Sequence, residues 1–234
     1  ENTITFRRFI KELSGILSCS PSVEEVLVAR SERAKDFKEY EAALMNDAAV
    51  KTLVVDNGLK KISEIDAFGQ RFPGSVRKTY RLETLIKALL ETSQTFDSLV
   101  SGFDAAVESA IKQDRCSAFK SIIAYRSGLD INKVGEGEAK KDFDARADQM
   151  MWFGPYVKNL RDFLIRRALV KSIDLQVPFL IHAGLGDTDI VASRCNPALL
   201  TDLLKDEEVL PATVVLIHGG FPYTYEAGWL ANVL

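Results

Sequence analysis

Five short apolar runs alternate with helical segments along the chain, and this alternation constrains the fold more than any other feature. The runs are KTLVVDNGL (51–59), VRKTYRL (76–82), CSAFKSIIAY (116–125), VPFLIHAG (177–184) and TVVLIHGG (213–220). Between them lie helical patterns. One long amphipathic helix is expected from Ser22, an N-cap with Glu25 at the third helical position, to about residue 47. One or two helices are expected over 83–113, further helices over roughly 138–175, one over 196–208 and the start of another from 223. Strands this short and apolar, joined by helical crossovers, pair in parallel because each crossover covers a sheet face. The expected class is therefore α/β, either a doubly wound sheet or a (β/α) barrel. In both, the loops after the carboxyl ends of the strands build the functional site.

Residues with chemistry gather at those ends. The chain has two histidines, His182 and His218, and each follows Leu-Ile and precedes a small residue and Gly. A lone histidine there often satisfies a backbone carbonyl. Two in matching contexts, on strands that would lie about 4.8 Å apart, favour a shared site. Imidazole is a common ligand for zinc and a common general base near neutral pH, but a catalytic metal needs at least three protein ligands. Lys120, Tyr125 and Arg126 at the end of the third run read either as a patch for a substrate carboxylate or, for Lys120, as an internal ion pair. Asp187 and Asp189 hold the following loop or act on substrate, Asp56 belongs to an Asp56-Asn57-Gly58 turn, and Phe221-Pro222-Tyr223 shapes a pocket wall. Gly184, Gly186, Gly219 and Gly220 either serve βα turns or allow close approach to a ligand.

Several classes of function are disfavoured. A net charge of -3 with scattered Lys and Arg gives no footprint for nucleic acid or an anionic membrane. No apolar run reaches membrane-spanning length. Cys19, Cys116 and Cys195 are too widely spaced for a disulfide framework, which fits a cytoplasmic setting. GLGDTD lacks the third glycine of a dinucleotide fingerprint, and no G-x-S-x-G elbow accompanies LIHGGF, so neither nucleotide binding nor a serine esterase is indicated. The chain starts at Glu, and EAGWLANVL stops inside a helical pattern, so both ends read as cut.

VPFLIHAGLGDTDIVASRCNPALLTDLL and LPATVVLIHGGFPYTYEAGWLANV resemble the amidohydrolase-related (amidohydrolase 2) family. The similarity is strongest to the amidohydrolase-like domain fused to a type I glutamine synthetase domain in nodulin-type plant proteins and their fungal relatives. AFKSIIAYRSGLDI and TLVVDNGL also resemble segments of that domain. The resemblance implies one barrel domain over 1–234, a partial (β/α)8 TIM-like barrel of the metal-dependent hydrolase type with about strands two to six present. It implies a divalent metal, zinc above all, with His182 as the fifth-strand ligand and His218 as a sixth-strand histidine that binds metal or assists catalysis. Metal-activated water would attack an amide-type C–N bond of a small-molecule substrate. The first-strand His-x-His and the eighth-strand Asp of that family are not found in this sequence, so the metal site is expected to be incomplete and its metal binding weak. Two alternatives follow from the same resemblance: a non-catalytic barrel that scaffolds a glutamine-synthetase-like domain or forms a homo-oligomer, and a metal-dependent decarboxylase.

Overall fold

The computed structural model describes residues 3–56, 58, 63–145 and 156–233, and divides into two compact units, Glu1–Arg77 and Lys78–Leu234. In the first unit, α1 (Ile4–Leu17), α2 (Val23–Arg33) and α3 (Phe37–Asp47) pack around Ile10, Leu17 and Val26. Ser22 caps α2 as expected, its hydroxyl accepting the Glu25 N–H at 3.2 Å. The single long helix expected from Ser22 is in fact two. A 3-10 turn over Ala34–Asp36 divides it, because Asp36 accepts the Glu39 N–H and starts a new helix. Nothing in the sequence reading marked α1, although Phe6, Ile10, Leu13 and Leu17 recur at helical spacing and face the core of this unit. The unit also holds β1 (Thr52–Val55), α4 (Ser63–Gly69) and the start of β2 (Ser75–Arg81). Asp56 accepts the Gly58 N–H at 3.0 Å, the turn role expected of it, while Asn57 lies outside the described residues.

The second unit carries most of the core. Its strands are the remainder of β2, then β3 (Cys116–Ser121), β4 (Phe179–His182) and β5 (Val214–Ile217). Pairing is parallel, with Arg81 opposite Lys120, Lys120 opposite Leu180 and His182 opposite Ile217. The full strand order is β1-β2-β3-β4-β5. That order decides between the two α/β classes: a doubly wound sheet reverses at a switch point, whereas strands laid down in sequence are the order of a (β/α) barrel. The protein is thus α/β with a parallel sheet compatible with part of such a barrel.

The crossovers follow the expected pattern with more punctuation. The 83–113 segment forms α5 (Leu82–Thr92) and α6 (Phe96–Lys112), divided where Thr95 and Ser98 form a reciprocal capping box. The 138–175 segment yields α7 (Glu136–Asp144) and α8 (Lys158–Asp174), and 146–155 lie outside the described residues. A 3-10 turn at Pro197–Leu200, α9 (Thr201–Lys205) and α10 (Thr224–Val233) complete the unit. Phe103, Phe119, Phe143, Phe179 and Leu164 are fully buried between sheet and helices. Their burial removes the apolar crossovers from water and so fixes where the strand ends lie. Among the described residues, no helix is long and apolar enough to cross a membrane.

Candidate functional site

The carboxyl ends of β2 to β5 open into a cavity of about 620 Å³ in the second unit. It brings together all the residues the sequence singled out for the site: Lys120, Tyr125, Arg126, His182, Asp187 and His218. It adds Arg81, Ile122 and Leu185 to the wall, where Phe221 lies as expected, with Gly186 and Asp189 in the loop that carries Asp187. Arg81 was missed by sequence reasoning, although a basic residue within an apolar run carried the same signal at Arg81 as at Lys120.

The histidines meet as the strand spacing requires, with ring centroids 4.6 Å apart and planes inclined by 60°. Tyr125, on the one-turn 3-10 helix that follows β3, packs on His182 from the other side at 4.6 Å. A buried relay anchors this turn. The Ser121 hydroxyl donates to the Glu83 carboxylate at 2.7 Å and accepts the Ile123 N–H at 3.1 Å. Glu83 begins α5, and its carboxyl is raised above the usual range by burial, against the opposing pull of the Ser121 hydrogen bond. This support was not legible beforehand, because a Glu in the first turn of a helix is common.

Backbone contacts lock the two histidine loops together. The Gly184 N–H donates to the Cys195 carbonyl and the Leu185 N–H to the Phe221 carbonyl, each at 2.7 Å. The Asp187 N–H donates to the Tyr125 hydroxyl at 3.1 Å. Both glycines of this loop are required by close approach rather than by the turn alone. Gly184 has φ +84°, and a Cβ there would overlap the Phe221 carbonyl; a Cβ on Gly186 would overlap the Tyr125 hydroxyl and crowd His182. Asp187 itself is exposed at the rim, where its carbonyl accepts the Ile190 N–H. Asp189 lies 3.9 Å from Arg126, also at the rim. Phe221 lines the cavity, while the Tyr223 hydroxyl donates to the Ala192 carbonyl.

Electrostatics hold both imidazoles neutral. The His182 pKa falls to about 4, first through burial, then through the neighbouring His218 and Lys120, with the Gly184 backbone and Asp187 pulling the other way. His218 shifts down as well, through burial and then Lys120. Neutral imidazole is the form that can ligate a metal or accept a proton. His182 Nε2 is buried and has no hydrogen-bond partner among the described residues, an orphan nitrogen of the kind that needs a ligand, a water or an ion to satisfy it. Two nitrogen donors thus fit a divalent metal. A full ligand set does not: among the described residues no group of three His, Cys, Asp or Glu stands close enough to hold one.

The chain is similar to one curated protein and to one solved structure described as a metal-dependent hydrolase. No family profile matches it. Over 263 aligned positions and 99% of its length it is 28% identical to protein fluG of Emericella nidulans, and it spans 30% of that protein. It also matches the crystal structure of a candidate metal-dependent hydrolase from Lactobacillus casei ATCC 334 at 32% identity and a TM-score of 0.71. That match covers 79% of this chain and 49% of the other. The chain therefore spans less than a third of the curated relative and about half of the solved one.

Proposed function

We propose that the chain contributes to a metal-dependent hydrolase of the amidohydrolase type, acting on an amide-type C–N bond of a small molecule. The observation that carries this reading is the pair of neutral, adjacent imidazoles at the ends of β4 and β5, one with a buried nitrogen that lacks a partner. His182 and His218 would hold the metal, zinc being an ion commonly bound by imidazole nitrogen in catalytic sites that keep a position for water. When bound, such a metal supplies Lewis-acid activation of water and of the scissile group.

The protein's own groups do the rest. His182 presents Nε2 from a pocket closed by Tyr125 and Gly186, so its ring cannot swing away. His218, more exposed, would supply the second nitrogen donor from the end of β5. Lys120, Tyr125 and Arg126 face the substrate from the end of β3, and Asp187 closes over it from the rim. A further ligand is required beyond the described residues, so this chain by itself is expected to bind metal weakly.

Titration with Zn(II) or Co(II) tests the reading. Weak binding that falls at least roughly tenfold in both His182→Asn and His218→Asn supports it. Binding that is unaffected by either substitution rules out the shared site.

A further inference from the structure

The two histidine stretches repeat beyond the glycine. LIHAGL (180–185) and LIHGGF (216–221) each place an apolar residue three positions after the histidine, Leu185 in one and Phe221 in the other. Both side chains are exposed, Leu185 at 41% and Phe221 at 63%, and both line the cavity that holds His182 and His218. A single exposed leucine or phenylalanine needs no explanation. Two at matching positions in one cavity are different, because ligand sites are concave and lined mostly by apolar and aromatic groups, with a few polar ones to fix orientation. The Leu185 N–H donates to the Phe221 carbonyl at 2.7 Å, so the pair is joined through main-chain atoms and this bond does not use the side chains. The residues that follow Leu185 on the rim, Asp187, Thr188 and Asp189, are polar and exposed. Arg81 and Lys120, register partners on β2 and β3, line the cavity from the strand ends. Leu185 and Phe221, with Ile122, thus supply the hydrocarbon part of a cavity whose other lining side chains are polar or charged.

We propose that Leu185 and Phe221 hold an aromatic ring of the substrate at the cavity mouth, with its scissile amide carried inward to His182 and His218. The substrate class is then an aryl amide. A ring meets Phe221 in an offset or edge-to-face arrangement and covers the methyl groups of Leu185 with hydrocarbon. It fits better than a flexible aliphatic chain, which loses more conformational freedom on binding and makes no ring-to-ring contact. A small polar amide would leave both side chains in water. The volume of about 620 Å³ suits a small molecule. The inference rests on reading this cavity as the substrate site of the proposed hydrolase.

Because the chain has two histidines, their two Hε1 proton resonances report on the cavity directly. Benzamide should shift them saturably at a concentration roughly tenfold lower than acetamide requires, the gain expected from burying one ring. Hexanamide, with an aliphatic chain in place of the ring, should bind more weakly than benzamide. L185S and F221S should each weaken benzamide at least roughly threefold. L185S alters an exposed side chain and keeps the main-chain bond, so it decides the matter if F221S fails to fold. Equal response to acetamide, hexanamide binding as tight as that of benzamide, or unchanged benzamide affinity in either folded variant would overturn the inference. Zn(II) titration of the same resonances separates the two readings. Zinc binding without a preference for benzamide defeats the aromatic subsite and leaves the hydrolase standing, and the reverse result defeats the metal site alone.

Discussion

His182 and His218 close two stretches that differ at one position, LIHAG and LIHGG, yet their surroundings are unlike. β4 has a strand on either side, whereas β5 is the last strand in the sheet order. His182 is therefore covered by Tyr125 and Gly186 and is 5% exposed, while His218 sits exposed on a left-handed backbone at φ +67°. The same local motif yields a rigid, desolvated imidazole in one place and an accessible one in the other. Position within the sheet, more than the motif, sets the surroundings of each ring: buried at the end of β4, accessible after β5.

The sharpest way to break this contrast is at the glycines. Gly184→Ala should destabilise the protein by about 4 kcal/mol, because the methyl group meets the Phe221 carbonyl on a positive-φ backbone. Gly219→Ala, in the other loop, meets nothing within 4 Å and should cost about 1 kcal/mol from backbone strain alone. Denaturant unfolding of both variants measures the difference. Similar losses would mean the two loops are equally constrained.

Acid titration distinguishes the imidazoles next. An unfolded histidine titrates near pH 6.5, and His182 in the folded, metal-free protein titrates near 4. Its folded pKa is depressed, so the stability it contributes is complete above about pH 6.5 and is lost as pH falls toward 4. The loss amounts to up to about 3 kcal/mol. His182→Asn should flatten this part of the stability profile, and His218→Asn should leave most of it intact. A profile unchanged in His182→Asn would contradict the assignment.

The support of the Tyr125 turn gives a smaller effect. Glu83→Ala leaves the Ser121 hydroxyl without its buried acceptor and should cost about 2 kcal/mol; Glu83→Gln keeps an acceptor and should cost under about 1 kcal/mol. Because the relay braces only the side of the cavity next to β4, the His182 Hε1 resonance should move in Glu83→Ala while that of His218 stays within experimental error. The smallest expected change is the stability of His218→Asn at neutral pH, within roughly 0.5 kcal/mol, since the side chain is exposed.

The alternation of apolar runs and helical patterns made the parallel sheet legible from sequence, and Leu-Ile-His twice over made its two histidines stand out. Lys120, Tyr125 and Arg126 were also readable, because a strand end displays whatever follows it. Other parts were hidden for physical reasons. The break within the first long helix depends on Asp36 outcompeting helix continuation, a local choice that a charge-rich amphipathic pattern does not reveal. Arg81 gained significance only through its register with Lys120, which requires knowing which strands are neighbours. The need for Gly184 and Gly186 arises from Phe221 and Tyr125, residues far away in sequence, and no local signal encodes that approach.

The hydrogen bonds from Gly184 to Cys195 and from Leu185 to Phe221 involve backbone atoms alone. The segment after β4 is thus closed on itself at Cys195 and joined to the segment after β5 at Phe221 by main-chain atoms. Leu185, Asp187 and Phe221 can be exchanged for residues of different size or charge while the histidines keep their places. The chemistry and the choice of substrate are then open to change independently, and a fold arranged this way can adopt new substrates by altering its rim while its reacting centre stays constant.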